Sequence, residues 1–248
     1  MSHIFTTVFY QPILNLLVFL YNTVSFQDLG VAIILLTAII KLVFWPLGRQ
    51  AIKSQKSLQD LQPKLDELKK KYADDKAGLS RATMDLYKEN KINPFSSCLP
   101  LLIQLPFLWA VYRVFRDGIN NNLDLVYSFV GRPETMHTIS FGFLNLAKPN
   151  VYLAVLAGLA QFWQAKMMMA KQPKVKKGAE GAENMAAIMN KQMLYFMPAI
   201  TIFIGISLPG GLTLYWFVLT LLTALQQVIM FRKQNDASVA PIEGEIVK

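Results

Sequence analysis

Residues 30–46 read GVAIILLTAIIKLVFWP. With the flanking leucines, residues 29–47 supply nearly the ~20 apolar positions a helix needs to cross a bilayer. One charge, Lys41, lies inside the run. Placing it at that depth costs at least ~2–3 kcal/mol, so an intramembrane lysine marks a functional position by default. A second reading stands beside that one. Lys41 is about two turns from Arg49, where polar sequence begins, and its aliphatic stem can snorkel there.

The rest of the chain sets the class. At 248 residues and 53% hydrophobic content it is too apolar for an ordinary soluble domain and too short for a large transporter. The expected fold is all-α, a polytopic membrane protein. A single cysteine, Cys98, excludes an internal disulfide and a CxxC metal site. His3 and His137 are too far apart in sequence to favour a zinc site. The net charge of +9 is first a matter of the positive-inside bias, so where the charges fall matters more than their sum.

In order along the chain, residues 1–28 contain no Lys or Arg and so lack the basic start of a secretory signal. Thr7, Gln11, Asn15 and Asn22 share one face of an apolar helix there, which favours an outer interfacial helix, although the run is long enough to span. Span 1 is residues 29–47. Residues 48–93 hold 11 Lys or Arg and 7 Asp or Glu between Arg49 and Lys91. Leu58, Leu61, Leu65, Leu68 and Tyr72 form one helical seam, and Leu79, Ala82 and Leu86 form a second after the turn at 73–78. A helical hairpin is expected, with Pro63 kinking or breaking its first arm.

Span 2, residues 94–116, carries Pro100 and Pro106, each expected to bend it, with Gln104 between them. An outer connection, 117–149, has turns at INNNLD, GRPE and KPN, and residues 140–146 are placed to dip back to the membrane surface. Span 3 is residues 150–168, with Gln161 and Gln164 one turn apart. An inner loop, 169–192, is of low complexity and expected to be mobile. Spans 4 and 5, residues 193–208 and 209–231, are joined so tightly that antiparallel neighbours are expected. A polar tail, 232–248, follows. Most of the 25 basic residues fall in the hairpin, the inner loop and the tail, which puts all three on one side, the inner one.

Nothing in the sequence forms a nucleophile–base pair, a phosphate-cradling loop or an intramembrane carboxylate pair. The five spans contain no Asp or Glu, which weakens a proton-coupled transporter, and no inverted repeat is visible. What remains is polar and uncharged: Thr37 a turn before Lys41, Gln104, Gln161, Gln164, and a stripe on span 5 of Thr213, Trp216, Thr220, Thr223 and Gln227. These either bond neighbouring helices, as such residues often do, or converge on a hydrated groove with one cation. Such a groove lowers the desolvation cost of a polar segment entering the bilayer, with no bond made or broken.

TAIIKLVFWPL (37–47), LQPKL (61–65), DDK (74–76), LYKENKINPFSSCLPLLIQLPF (86–107) and LPGGLTLYWFVLTLLTALQQ (208–227) resemble the YidC/Oxa/Alb membrane protein insertases. The match runs in order from about residue 8 to residue 231. The resemblance implies a five-helix core, a groove open to cytoplasm and lipid, an outer amphipathic helix and a cytoplasmic hairpin. It also implies the bacterial form without a large periplasmic domain, in the plasma membrane, N-terminus outside and C-terminus inside. Lys41 takes the place of a groove arginine in bacterial members; it keeps the charge and loses the bidentate fork. Thr37, Gln104 and Tyr215 match groove-lining positions by motif. The implied partners are nascent membrane proteins, ribosome–nascent chain complexes, the signal recognition particle and its receptor, the lipid bilayer and, as a further candidate, the SecYEG translocon. No cofactor is implied. A small channel or transporter, or a scaffold for helices already inserted, remains an alternative.

Overall fold

The computed structural model describes residues 3–73, 75–93, 99–116, 121, 123–169 and 192–238. The inner loop at 170–191, residues 94–98 of span 2, residues 119, 120 and 122 of the INNNLD turn and the tail after Ser238 lie outside the described residues.

The first helix, α1, runs His3–Thr23 and passes through a π turn at Thr6–Tyr10. The wide turn answers Pro12: with no N–H there, Gln11 N reaches back five residues to Thr6 O. One face of α1, with Tyr10, Leu14, Leu17, Val18 and Tyr21, belongs to the main core and packs on α2 and α6, defined below. Its polar face is also used by protein. Gln11 and Asn15 Nδ2 both donate to Leu125 O at 3.1 Å, Asn15 Oδ1 accepts from Tyr127 N at 2.6 Å, and Asn22 donates to Gly131 O at 2.8 Å. Three residues of the expected polar stripe, Gln11, Asn15 and Asn22, therefore hold the 125–131 connection along the helix.

α2 is Leu29–Val43, and Asp28 caps it by accepting from Gly30 N and Val31 N. At 15 residues it is about 22 Å long, short of the ~30 Å hydrocarbon layer. The apolar run expected as span 1, residues 29–47, is bent near its end. Helix breaks at Phe44, and α3, Trp45–Asp60, leaves at 67°. Pro46 is the cause, since it offers no N–H to Leu42 O and its ring crowds that carbonyl. Phe44 packs edge-on against Phe107, 5.0 Å between centroids, and Phe107 meets Phe9 of α1.

α4, Gln62–Lys71, starts after a break at Leu61 with Pro63 in its first turn; α5, Lys76–Glu89, is capped by Asp75 and packs back on α4. Leu61 and Leu65 are buried, and Leu68, Ala82 and Leu86 line a cleft between the arms.

α6 is Leu99–Arg116. Pro100 sits in its first turn, where a missing N–H is harmless, so only Pro106 is interior. Arg113 lies over the buried ring of Tyr10 at 5.0 Å, a cation–π contact that accounts for a charge at this end. After a 3-10 turn at Leu123–Leu125, β1 (Ile139–Ser140) and β2 (Leu144–Asn145) form an antiparallel hairpin. Ser140 Oγ bonds Asp28, and Phe141 N donates to Asp28 Oδ2 at 2.6 Å.

α7 is Val151–Met169, and α8, Met197–Gly205, follows a π turn at Gln192–Phe196. α9 is Gly210–Ser238; its first amides, Gly210 N and Gly211 N, donate to Lys148 O and Leu146 O, both at 2.9 Å. The tight turn at Pro209, Gly210 and Gly211 predicts spans 4 and 5 as antiparallel neighbours. Instead α8 packs on α7, and α7 in turn on α9. Small residues decide this: Gly158 faces Ile202 and Pro198, and Ala154 faces Gly205, a small-xxx-small surface that lets α8 approach closely. Thr213 Oγ1 reaches Gly205 O at 3.3 Å where α8 and α9 join.

Among the described residues, α1 and Gly210–Phe231 are by length and composition long and apolar enough to cross a membrane, and the bent α2–α3 pair makes a third if it is one span. Leu194–Gly205 is a shorter apolar helix.

Candidate functional site

The break at Phe44 folds the start of α3 back toward α9. Gly48, Ala51, Ile52 and Gln55 recur at helical spacing on one face of α3 and roof a partly open cavity of about 330 Å³. Its other walls are Lys41 from α2, Gln104 from α6, Gln164 from α7, and Trp216, Leu219, Thr220, Thr223, Gln226 and Gln227 from α9. A smaller lobe of about 50 Å³ adjoins it and shares Lys41, Gly48, Gln104 and Leu219. No acidic residue is among the described residues lining either space.

Lys41 stands in the last turn of α2, where a cation complements the helix dipole. Its Nζ donates to Thr223 Oγ1 at 2.9 Å. Thr223 Oγ1 donates in turn to Leu219 O at 2.7 Å, which leaves the hydroxyl lone pairs to face the ammonium. Gln104 Nε2 donates to Tyr215 Oη, and that bond holds the glutamine toward the cavity. Tyr215 itself is fully buried behind it.

Seven of the residues read from sequence thus meet around one space: Lys41, Gln104, Gln164, Trp216, Thr220, Thr223 and Gln227. Thr37 is not among its lining; it is fully buried and its Oγ1 donates to Ile33 O at 2.6 Å. Gln161 turns the other way and accepts from Thr201 Oγ1, joining α7 to α8. Thr213 is consumed by Gly205 O and Pro209 O. The stripe on α9 is therefore split. Its C-terminal part, Trp216 to Gln227, opens on the cavity, and its N-terminal end at Thr213 closes on backbone.

Sequence reading passed over Gln226 and the α3 roof. The spacing 48, 51, 52, 55 was there to be read as one helical face. What it packs on was hidden, because that depends on the 67° bend. Gly48 permits the approach: a Cβ there meets Gln226 Oε1 at 2.9 Å. Gln226 is wholly buried, and its Nε2 donates to Trp45 O at 3.2 Å across the break.

Apolar helices around a polar recess, with Lys41 as the one cation among its described lining residues, define an all-α, membrane-embedded protein. The chain belongs to the YidC/Oxa family: residues 19–237 match the family described as 60Kd inner membrane protein. It is 35% identical over 228 residues to a relative from Fusobacterium nucleatum named membrane protein insertase YidC, covering 90% of this chain and 97% of that one. Relatives of the same name from Syntrophus aciditrophicus and Citrifermentans bemidjiense are 37% and 34% identical over 88% and 91% of this chain. The chain spans 35% and 37% of the length of those two.

Proposed function

We propose that this protein is a membrane protein insertase: it receives the hydrophilic tail of a nascent membrane protein in the cavity and releases the hydrophobic segment sideways into lipid. The observation that carries this reading is the convergence of Lys41 with uncharged polar side chains from α6, α7 and α9 beneath the α3 roof. A polar tail entering the bilayer loses its water, and a wall of amides and hydroxyls replaces part of that hydration. Lys41 adds attraction for Asp or Glu in the tail, in a space with no lining carboxylate to compete. The process needs no covalent step.

In this reading five spans, at 29–47, 94–116, 150–168, 193–208 and 209–231, form the core in a bacterial plasma membrane. The N-terminus is outside; the hairpin 48–93, the inner loop and the C-terminus are in the cytoplasm. α1 lies on the outer face. The bonds from Gln11, Asn15 and Asn22 to the irregular backbone at 125–131 support this, because such backbone does not run exposed through hydrocarbon. The shortness of α2 and α8 brings the barrier below the ordinary hydrocarbon thickness, which favours partial crossing of a tail. Partners are ribosome–nascent chain complexes, the signal recognition particle and its receptor, and the SecYEG translocon, with the basic hairpin contacting ribosomal RNA or lipid headgroups.

The test is reconstitution of the full chain into lipid vesicles with a single-span substrate, read by protease protection of its tail. Protection well above that in protein-free vesicles supports the reading, and protection equal to theirs overturns it.

A further inference from the structure

The lining of the cavity is unusual in its chemistry. Five of its polar side chains are carboxamides, Gln55, Gln104, Gln164, Gln226 and Gln227, contributed by four different helices. A carboxamide carries the same donor and acceptor as a peptide bond. Two of them are also left with an unmet demand: Gln226 Oε1 and Gln227 Oε1 are buried and have no hydrogen-bond donor, although the residues are 0% and 3% exposed. Buried acceptors without donors are rare and costly in folded proteins, so a pair on adjacent residues of one cavity wall calls for a ligand that donates. The terminal torsion of glutamine is broad and two-fold, so Gln227 Oε1 can turn to meet an occupant, while Gln226 is held in place by its Nε2 bond to Trp45 O.

We infer that the cavity recognises polypeptide main chain: Gln226 and Gln227 accept from backbone N–H groups of an extended tail, and the other carboxamides complete amide-to-amide pairing, independently of the tail's side chains. This rests on the insertase reading and adds a division of labour to it. Lys41 is the only charge among the described residues of the lining and discriminates among tails by their acidity. The glutamines hold any tail, because every non-proline residue supplies the same N–H. A cationic or sugar ligand would also donate hydrogen bonds. Lys41 opposes the first, and among the described residues no aromatic face beyond Trp216 lines the cavity to stack the second.

The experiment uses the full chain in vesicles and two single-span peptides, one with an acidic tail and one with a neutral Gly-Ser tail. A third peptide replaces the tail glycines by N-methylglycine, which removes N–H donors and leaves charge unchanged. The variant pairs Gln164→Leu with Gln227→Leu; Gln226 is left intact because it bonds Trp45 across the break. The expected result is that the variant inserts acidic and neutral tails equally poorly, ~5–10-fold below wild type, while Lys41→Ala affects the acidic tail alone. The N-methylated tail should lose as much with wild type, relative to protein-free vesicles, and lose nothing further with the variant. Unchanged insertion of the neutral tail by the variant overturns the inference. Equal protein-dependent insertion of the N-methylated and ordinary tails by wild type also overturns it, and this arm stands even if the variant fails to fold. If wild type inserts no peptide above protein-free vesicles, the insertase reading falls and takes the inference with it.

Discussion

Lys41 Nζ and Thr223 Oγ1 are 2.9 Å apart, joining the last turn of α2 to the middle of α9 across 182 residues of chain. The bond fixes where the cation points. A snorkelling lysine would reach for water past Arg49, whereas this one turns onto a hydroxyl that has already committed its proton to Leu219 O.

Thr223→Val keeps the shape of the side chain and removes the acceptor. A double-mutant cycle with Lys41→Met, read by reversible denaturation in detergent, should give a coupling of about 0.6–1.7 kcal/mol. Zero coupling would mean that the two groups do not meet in the folded protein.

Asp28 ties the start of α2 to the β1–β2 hairpin. Burial raises its pKa, but donation from Ser140 Oγ and from the amides of Phe141, Val31 and Gly30 outweighs that and holds it below the ordinary 3.8. Because the folded value is depressed, the stabilisation is fully present above 3.8 and is lost as pH falls through the lower folded value. Thermal stability should therefore show no Asp28 contribution to its pH dependence between pH 7 and about 5, and a loss only in stronger acid. Asp28→Asn should lower stability at neutral pH and flatten the acid limb.

Asn15 is 4% exposed and makes three hydrogen bonds, two of them to the outer connection. Asn15→Leu strands Tyr127 N and should cost about 1–3 kcal/mol. Faster proteolytic cleavage within 123–135, with α9 still protected, is the expected signature.

Gly158 is where α7 and α8 come closest, with Ile202 and the Pro198 carbonyl in the path of any side chain. Gly158→Leu should destabilise by about 1–3 kcal/mol through overpacking and should break the Gln161–Thr201 bond one turn away. Gly142 has nothing within 4 Å of an added Cβ, yet its φ of +80° disfavours a side chain. Gly142→Ala should therefore be milder than Gly158→Leu and should act through backbone strain alone, as melting temperatures of the two variants would show.

The sequence was most legible where hydrophobic period and charge decide the outcome. The apolar run around Lys41, the leucine seam through Leu61 and Leu65, and the polar stripe on α9 could all be read from spacing. It was least legible where one residue changes a direction. Pro46 was in plain view, but a proline near a helix end permits either a smooth exit or a sharp break. The 67° bend is what makes Gly48, Ala51, Ile52 and Gln55 part of the site. Polar residues at membrane depth were ambiguous in the same way. Gln164 and Gln161 are one turn apart on α7, and only the position of α8 sends one to the cavity and the other to Thr201. The pairing of α8 with α7 rather than with α9 depends on Ala154 and Gly158, whose effect is a matter of close approach and not of period.

The most direct test of the groove is site-specific photocrosslinking to a ribosome-bound single-span substrate, with the photoreactive residue at Thr220 or Gln227 and, for comparison, at Thr37 or Thr213. The account predicts that the hydrophilic tail crosslinks from Thr220 and Gln227, which line the cavity, and not from Thr37 or Thr213, which are buried in backbone bonds. A tail that crosslinks from none of them, or as strongly from Thr213 as from Gln227, would contradict it.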